Sequence, residues 1–85
     1  MSTMTPKEFN DKANKLAATL DEYDSALELG GAEGEPVVTL YAHRNGRIYL
    51  VVDERTLTVV KRFTGIWAEA ETYARLYFWT GARNV

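Results

Sequence analysis

Asn45-Gly46 constrains this chain more than any other pair of residues. It stands between two runs of alternating apolar side chains, and Asn-Gly is the strongest short signal for a β-hairpin because a type I′ turn needs φ > 0 at both central positions. The flanking strands are expected over Val37–Arg44 and Arg47–Val52. With the turn at Asn45-Gly46, His43 faces Ile48, Tyr41 faces Leu50 and Thr39 faces Val52. A polar turn, Asp53–Thr56, leads to a third strand over Leu57–Phe63. If Val52 pairs with Leu57, strand periodicity puts Val37, Thr39, Tyr41, Ile48, Leu50, Val52, Leu57, Val59 and Phe63 on one face. That face is the expected core. The other carries Val38, Leu40, Ala42, Tyr49, Val51 and Val60 with Arg44, Arg47 and Arg62. It is expected to be open, with an apolar centre that could pair with a second copy of the chain.

Helices are expected on either side. Thr5-Pro6-Lys7-Glu8 is a helix start, in which Thr5 caps, Pro6 fits the first position and Glu8 closes a capping box. Phe9, Ala13, Leu16, Leu20, Tyr23 and Leu27 continue as one stripe, so a single helix is predicted over 5–29, stopped by Gly30-Gly31. Residues 1–4 are expected to fray, and Ala32–Glu35 to connect. After Thr64-Gly65 a second helix is predicted over 66–79, with aromatic side chains around much of its circumference. It is too apolar to be covered on one side alone. The expected order is therefore α-β-β-β-α. This is one α+β domain: a three-stranded antiparallel meander, 36–63, with both helices packed on one face.

Composition limits the chemistry. The chain has 85 residues, no cysteine and one histidine. Thiolate metal sites are excluded, and no zinc set can be assembled from His43 alone. Ser2 and Ser25 are the only serines, and neither belongs to a nucleophile motif. Gly30-Gly31-Ala32-Glu33-Gly34 lacks the lysine and the strand-to-helix setting of a phosphate loop. The carboxylate pair Asp53-Glu54 reads as turn chemistry. No run approaches the ~20 apolar residues of a membrane span, and no signal segment opens the chain. The expectation is a non-catalytic cytoplasmic protein without metal or cofactor.

Charge gives the positive signal. The net charge is only −2, but the halves differ. Up to Glu35, eight acids stand against three lysines; from Pro36 onward, four acids stand against seven arginines and lysines. Asp21, Glu22, Asp24 and Glu28, continued by Glu33 and Glu35, gather carboxylates around the expected end of the first helix. There they would oppose the helix dipole, at a cost of ~0.3–1 kcal/mol each. A partner protein with a basic cleft would be steered toward them. Arg44, Arg47, Tyr49 and Arg62 form the alternative, a small nucleic-acid or dimer face on the open side of the sheet.

Two resemblances accompany this reading. The order α-β-β-β-α is similar to that of the double-stranded RNA-binding domain, which implies phosphate binding by lysines at the start of the second helix. Here that segment reads Gly65-Ile66-Trp67-Ala68-Glu69-Ala70-Glu71, with acids in place of the lysines. In size, element order and acidic end, the chain also resembles small phage-encoded inhibitors, including anti-CRISPR proteins that occupy a nucleic-acid groove. That resemblance implies an inhibitor that blocks a basic nucleic-acid-binding surface.

Overall fold

The computed structural model describes residues 5–30 and 36–80. The expected frayed start and the connector with Glu33 and Glu35 lie outside these residues, as does Gly81, the glycine expected to end the second helix. Element order is α1 (Pro6–Thr19), β1 (Tyr23–Gly30), β2 (Pro36–His43), β3 (Ile48–Asp53), β4 (Thr58–Thr64) and α2 (Trp67–Thr80). The class is α+β, with an antiparallel sheet in the order β1-β2-β3-β4 and both helices packing on it. The sheet has four strands rather than three.

The fourth strand comes from the expected long helix, which is corrected here. Thr5 caps α1 as its sequence indicates: Thr5 Oγ1 accepts from the Glu8 amide at 3.1 Å, and Glu8 Oε1 accepts from the Thr5 amide at 3.4 Å. The helix nevertheless ends at Thr19, and residues 23–30 pair with β2. A helix continued through Asp21, Glu22, Asp24 and Glu28 would hold four carboxylates in its last turns, against its dipole. Asp and Ser also favour turns over helix interiors. As a strand, the segment satisfies the outer edge of β2 and still buries part of Leu27 and Leu29. A bulge between Ser25 and Leu27 absorbs Ala26, so that Leu27 lies opposite Leu40 and Leu29 opposite Val38.

The central hairpin keeps the expected register: Thr39 pairs with Val52, Tyr41 with Leu50 and Ala42 with Tyr49. Its turn is not type I′, because Gly46 takes φ 74° while Asn45 is not among the residues with positive φ. The Gly46 amide instead donates to His43 O at 2.8 Å, and Asn45 Oδ1 accepts from the Arg47 amide at 2.8 Å. Further on, Val52 pairs with Val59 instead of Leu57, and a bulge follows at Val60. Every later side chain changes face as a result: Arg62 pairs with Leu50, and Phe63 with Tyr49.

The main core lies under α2, on the face the pattern left open. Val38, Leu40, Tyr49 and Val51 pack with Ala70 and Ala74. Two alanines four residues apart let the helix approach the sheet closely. Trp67 and Tyr73 flank them, edge-on to Tyr49 and Phe63 at 5.6 and 5.5 Å between ring centroids. The opposite face is buried as well, at Thr39, Leu50 and Val52. α1 meets the sheet on that side: Leu16 shares an open hollow with Leu57 and Val59, and Lys12 Nζ donates to Thr56 O at 3.3 Å. A strand buried on both faces reads as an almost continuous apolar run, and Ile48–Val52 is one. The dimer strip expected at Leu40, Tyr49, Val51 and Val60 is therefore covered by α2 and cannot meet a second copy.

Candidate protein-binding edge

The acidic residues stay together although their element changed. Asp21 and Glu22 lie in the turn before β1, and Asp24 and Glu28 on β1 itself. All four are exposed, and β1 is an edge strand. Across the edge, Glu22 faces a histidine and Asp24 an arginine. Glu22 Oε2 lies 3.0 Å from His43 Nε2, and Asp24 Oδ2 lies 3.9 Å from Arg44 Nε. Asp24 and Arg44 are both largely exposed, so their pair adds little stability and leaves the carboxylate available. Glu28 accepts from Ser25 Oγ at 3.3 Å. The Ala26 bulge interrupts the regular pattern of the edge, a device that discourages another strand from pairing there. The edge therefore offers side-chain charge more readily than a strand template.

His43 is held at both of its ring nitrogens. Its Nδ1 accepts from the Asn45 amide at 3.0 Å, which leaves the ring proton on Nε2, where it is donated to Glu22. The ring is also edge-on to Tyr23 at 4.9 Å. Both nitrogens are taken, so His43 does not stand as a free base, and Ser25 is bonded to Glu28. Among the described residues, no three His, Asp or Glu side chains converge as metal ligands. None of the described helices is long and apolar enough to cross a membrane.

The opposite edge carries the opposite sign. β4 exposes Lys61 and Arg62, and Lys12 and Lys15 of α1 line the hollow beside Leu57–Val59. The four members of the arginine face do not come together. Tyr49 is 8% exposed, buried against Trp67, with its hydroxyl donating to Gly46 O at 3.1 Å. It offers no stacking surface. Arg44 faces Asp24, Arg47 follows the hairpin turn, and the Val60 bulge places Arg62 on the other side of the sheet from Tyr49.

Two polar clusters carry shifted groups. Asp53 is almost fully buried; its Oδ2 accepts from Tyr77 Oη at 2.8 Å and its Oδ1 from the Arg55 amide at 2.9 Å. Burial, then the bond to Asp53, pushes the Tyr77 phenol up. The Arg55 bond bears out the turn chemistry read for Asp53; the tether to α2 had no sequence signal. On the α1 side, Tyr41 Oη lies 3.5 Å from Glu54 Oε2. Burial raises both groups, with Glu54 adding to the rise at Tyr41. Thr39 Oγ1 is buried beside them without a well-formed hydrogen bond, yet close enough that its hydroxyl offsets part of the rise at both groups.

No family model, curated protein or solved structure matches this chain.

Proposed function

We propose that the chain is a non-catalytic binding protein that docks its acidic β1 edge on a basic, nucleic-acid-binding surface of a partner protein and so blocks it. The observation that carries this reading is the exposure of Asp21, Glu22, Asp24 and Glu28 along the edge strand β1 and the turn that leads into it, with lysines and Arg62 at the opposite edge. Such a charge separation orients the molecule during approach, so the acidic edge arrives first at a basic surface. The resemblance to small phage-encoded inhibitors supports the same reading and adds a phage or mobile-element origin to it. An arginine platform for nucleic acid is the weaker alternative, because its four members lie apart.

Competition is the direct test. Labelled DNA or RNA bound to a panel of basic nucleases is titrated with the protein, and anisotropy follows its release. The wild type should displace nucleic acid from at least one member, less well as salt rises. Asp21→Lys/Glu22→Lys/Asp24→Lys should not, provided circular dichroism shows it folded. Direct binding of the labelled nucleic acid by the wild type, or full displacement by the triple variant, would sink the proposal.

A further inference from the structure

His43 links the acidic edge to the β2–β3 turn. A neutral imidazole carries a proton on one ring nitrogen and leaves the other as an acceptor. Here Nδ1 accepts from the Asn45 amide at 3.0 Å, and Nε2 lies 3.0 Å from Glu22 Oε2. A backbone amide can only donate and an ionised carboxylate can only accept, so these two partners fix the tautomer with its proton on Nε2. Turning the ring over would set carbon atoms at both positions and lose both bonds. The side chain is 19% exposed, with Tyr23 edge-on at 4.9 Å.

A second proton therefore has one place to go. On Nδ1 it would point at the Asn45 N–H, and two donors cannot share that contact. The imidazolium and the Asn45 bond exclude each other, whereas the Glu22 contact survives and becomes charge-assisted. We propose that His43 is a pH-operated latch: neutral, it ties down the Asn45 amide; protonated, it keeps Glu22 and releases the amide. The other bonds of the turn do not involve the ring. The Gly46 amide donates to His43 O and the Arg47 amide to Asn45 Oδ1, each at 2.8 Å. Release thus loosens the tip without unpairing β2 from β3. Glu22 keeps its place in both states, because its carbonyl accepts from the Arg44 amide at 2.9 Å. The remaining charged groups at this end are Asp24 and Arg44, one residue further along each chain and paired at 3.9 Å, and Arg47 beyond the turn. Protonation also sets a positive charge beside Glu22, on the edge proposed to dock on a basic surface. Resting on that reading, docking weakens on the acid side of the latch; the latch itself does not depend on it.

Nuclear magnetic resonance of the isotope-labelled protein, in a pH series through the titration of the ring, tests the latch with no partner present. Above the titration, the ring nitrogen shifts should show Nε2 protonated and Nδ1 bare, with a scalar coupling between Nδ1 and the Asn45 nitrogen across their hydrogen bond. Below it the coupling should vanish, and the Asn45 amide proton should move upfield with the same midpoint as the ring. Its protection from solvent exchange, relative to its intrinsic rate at each pH, should fall roughly two- to tenfold, as loss of one hydrogen bond allows. His43→Asn sets a non-titrating Oδ1 acceptor near the Nδ1 position and should hold the Asn45 amide unchanged across the series, with circular dichroism as a fold control. A proton on Nδ1 above the titration overturns the proposal, and so does Asn45 protection that persists below it. An amide shift with unchanged protection overturns it too, because that shift reports only a nearby charge. Failure of the competition assay would leave these results standing, so the latch and the proposed docking fail separately.

Discussion

The two helices have the same length, 14 residues, and are held by different means. α2 buries Ala70 and Ala74 completely, sets rings edge-on to Tyr49 and Phe63, and ties Tyr77 to the buried Asp53. α1 has no buried residue; Ala13 and Leu16 are half-buried and Phe9 is 48% exposed. What α1 has is a complete capping box and a clean apolar stripe. The helix with the better amphipathic pattern is the one with less buried. A stripe reports which side of a helix can face a core, but the depth of burial depends on how closely the backbones approach. That closeness comes from small residues, and α2 has two alanines where α1 brings Leu16.

Core truncation is the largest way to test the contrast. Leu40→Ala removes a fully buried side chain under α2 and should cost ~2–5 kcal/mol. Leu16→Ala removes a half-buried one and should cost about 1 kcal/mol or less, in proportion to the smaller apolar area lost. Urea unfolding measures both. Equal losses would mean that α1 is anchored as firmly as α2.

Next in size is the Asp53–Tyr77 tether. Asp53→Ala leaves the Tyr77 hydroxyl and the Arg55 amide without their acceptor and should destabilise by ~1–3 kcal/mol. Tyr77→Phe, which removes only the donor, should cost less. A double-mutant cycle isolates the bond, and a coupling energy indistinguishable from zero would deny it any part in holding α2.

The β2–β3 register, the N-terminal cap of α1 and the grouping of the acids were legible in the sequence, because each depends on residues close together in the chain. The Asn45-Gly46 centre fixed the β2–β3 pairing although the turn type differed. Thr5, Pro6 and Glu8 specified the start of α1. Two features were not legible for the same physical reason. The end of α1 and the Val60 bulge are decided by what β2 and β3 need at their edges, which is a tertiary demand. The first did leave a local trace: carboxylates gathered where a helix C-terminus would repel them mark the place where that helix stops. Read that way, they would have argued for an edge strand. The second left none, and one inserted residue was enough to exchange the faces of Arg62 and Phe63 and to separate the arginines that strand periodicity had grouped.

A smaller effect sharpens the comparison on the α1 side of the sheet. Burial raises the Glu54 carboxyl, and the charges of Glu28 and Asp53 add to the rise. The folded protein thus binds the Glu54 proton more tightly than the unfolded chain does. Between the unfolded and folded pKa values the native state holds more protons, so this contribution to stability is present at low pH and fades as pH rises through the folded value. Glu54→Gln should make the protein slightly more stable at neutral pH and flatten the decline just above the ordinary carboxylate range. Thermal melts across that range check it, and an unchanged pH profile would show that Glu54 is effectively solvated.

The smallest expected change is at Thr39. Its hydroxyl is buried beside Tyr41 and Glu54 without a well-formed hydrogen bond. Burying a hydroxyl without a bond is unfavourable, so replacing it by a methyl removes a cost rather than a contact. Thr39→Val keeps the β-branched shape that suits a central strand. Stability should be unchanged or rise by up to about 1 kcal/mol. The same substitution under α2 would have no such licence, because the polar group buried there, Asp53, has its partners in place. Denaturant midpoints at constant slope decide the matter. A loss greater than about 1 kcal/mol would mean that the Thr39 hydroxyl closes onto Glu54 or Tyr41 in solution, since only a satisfied bond costs that much to remove. The side of the sheet facing α1 would then hold a polar tether of its own, and the difference between the two helices would be one of degree.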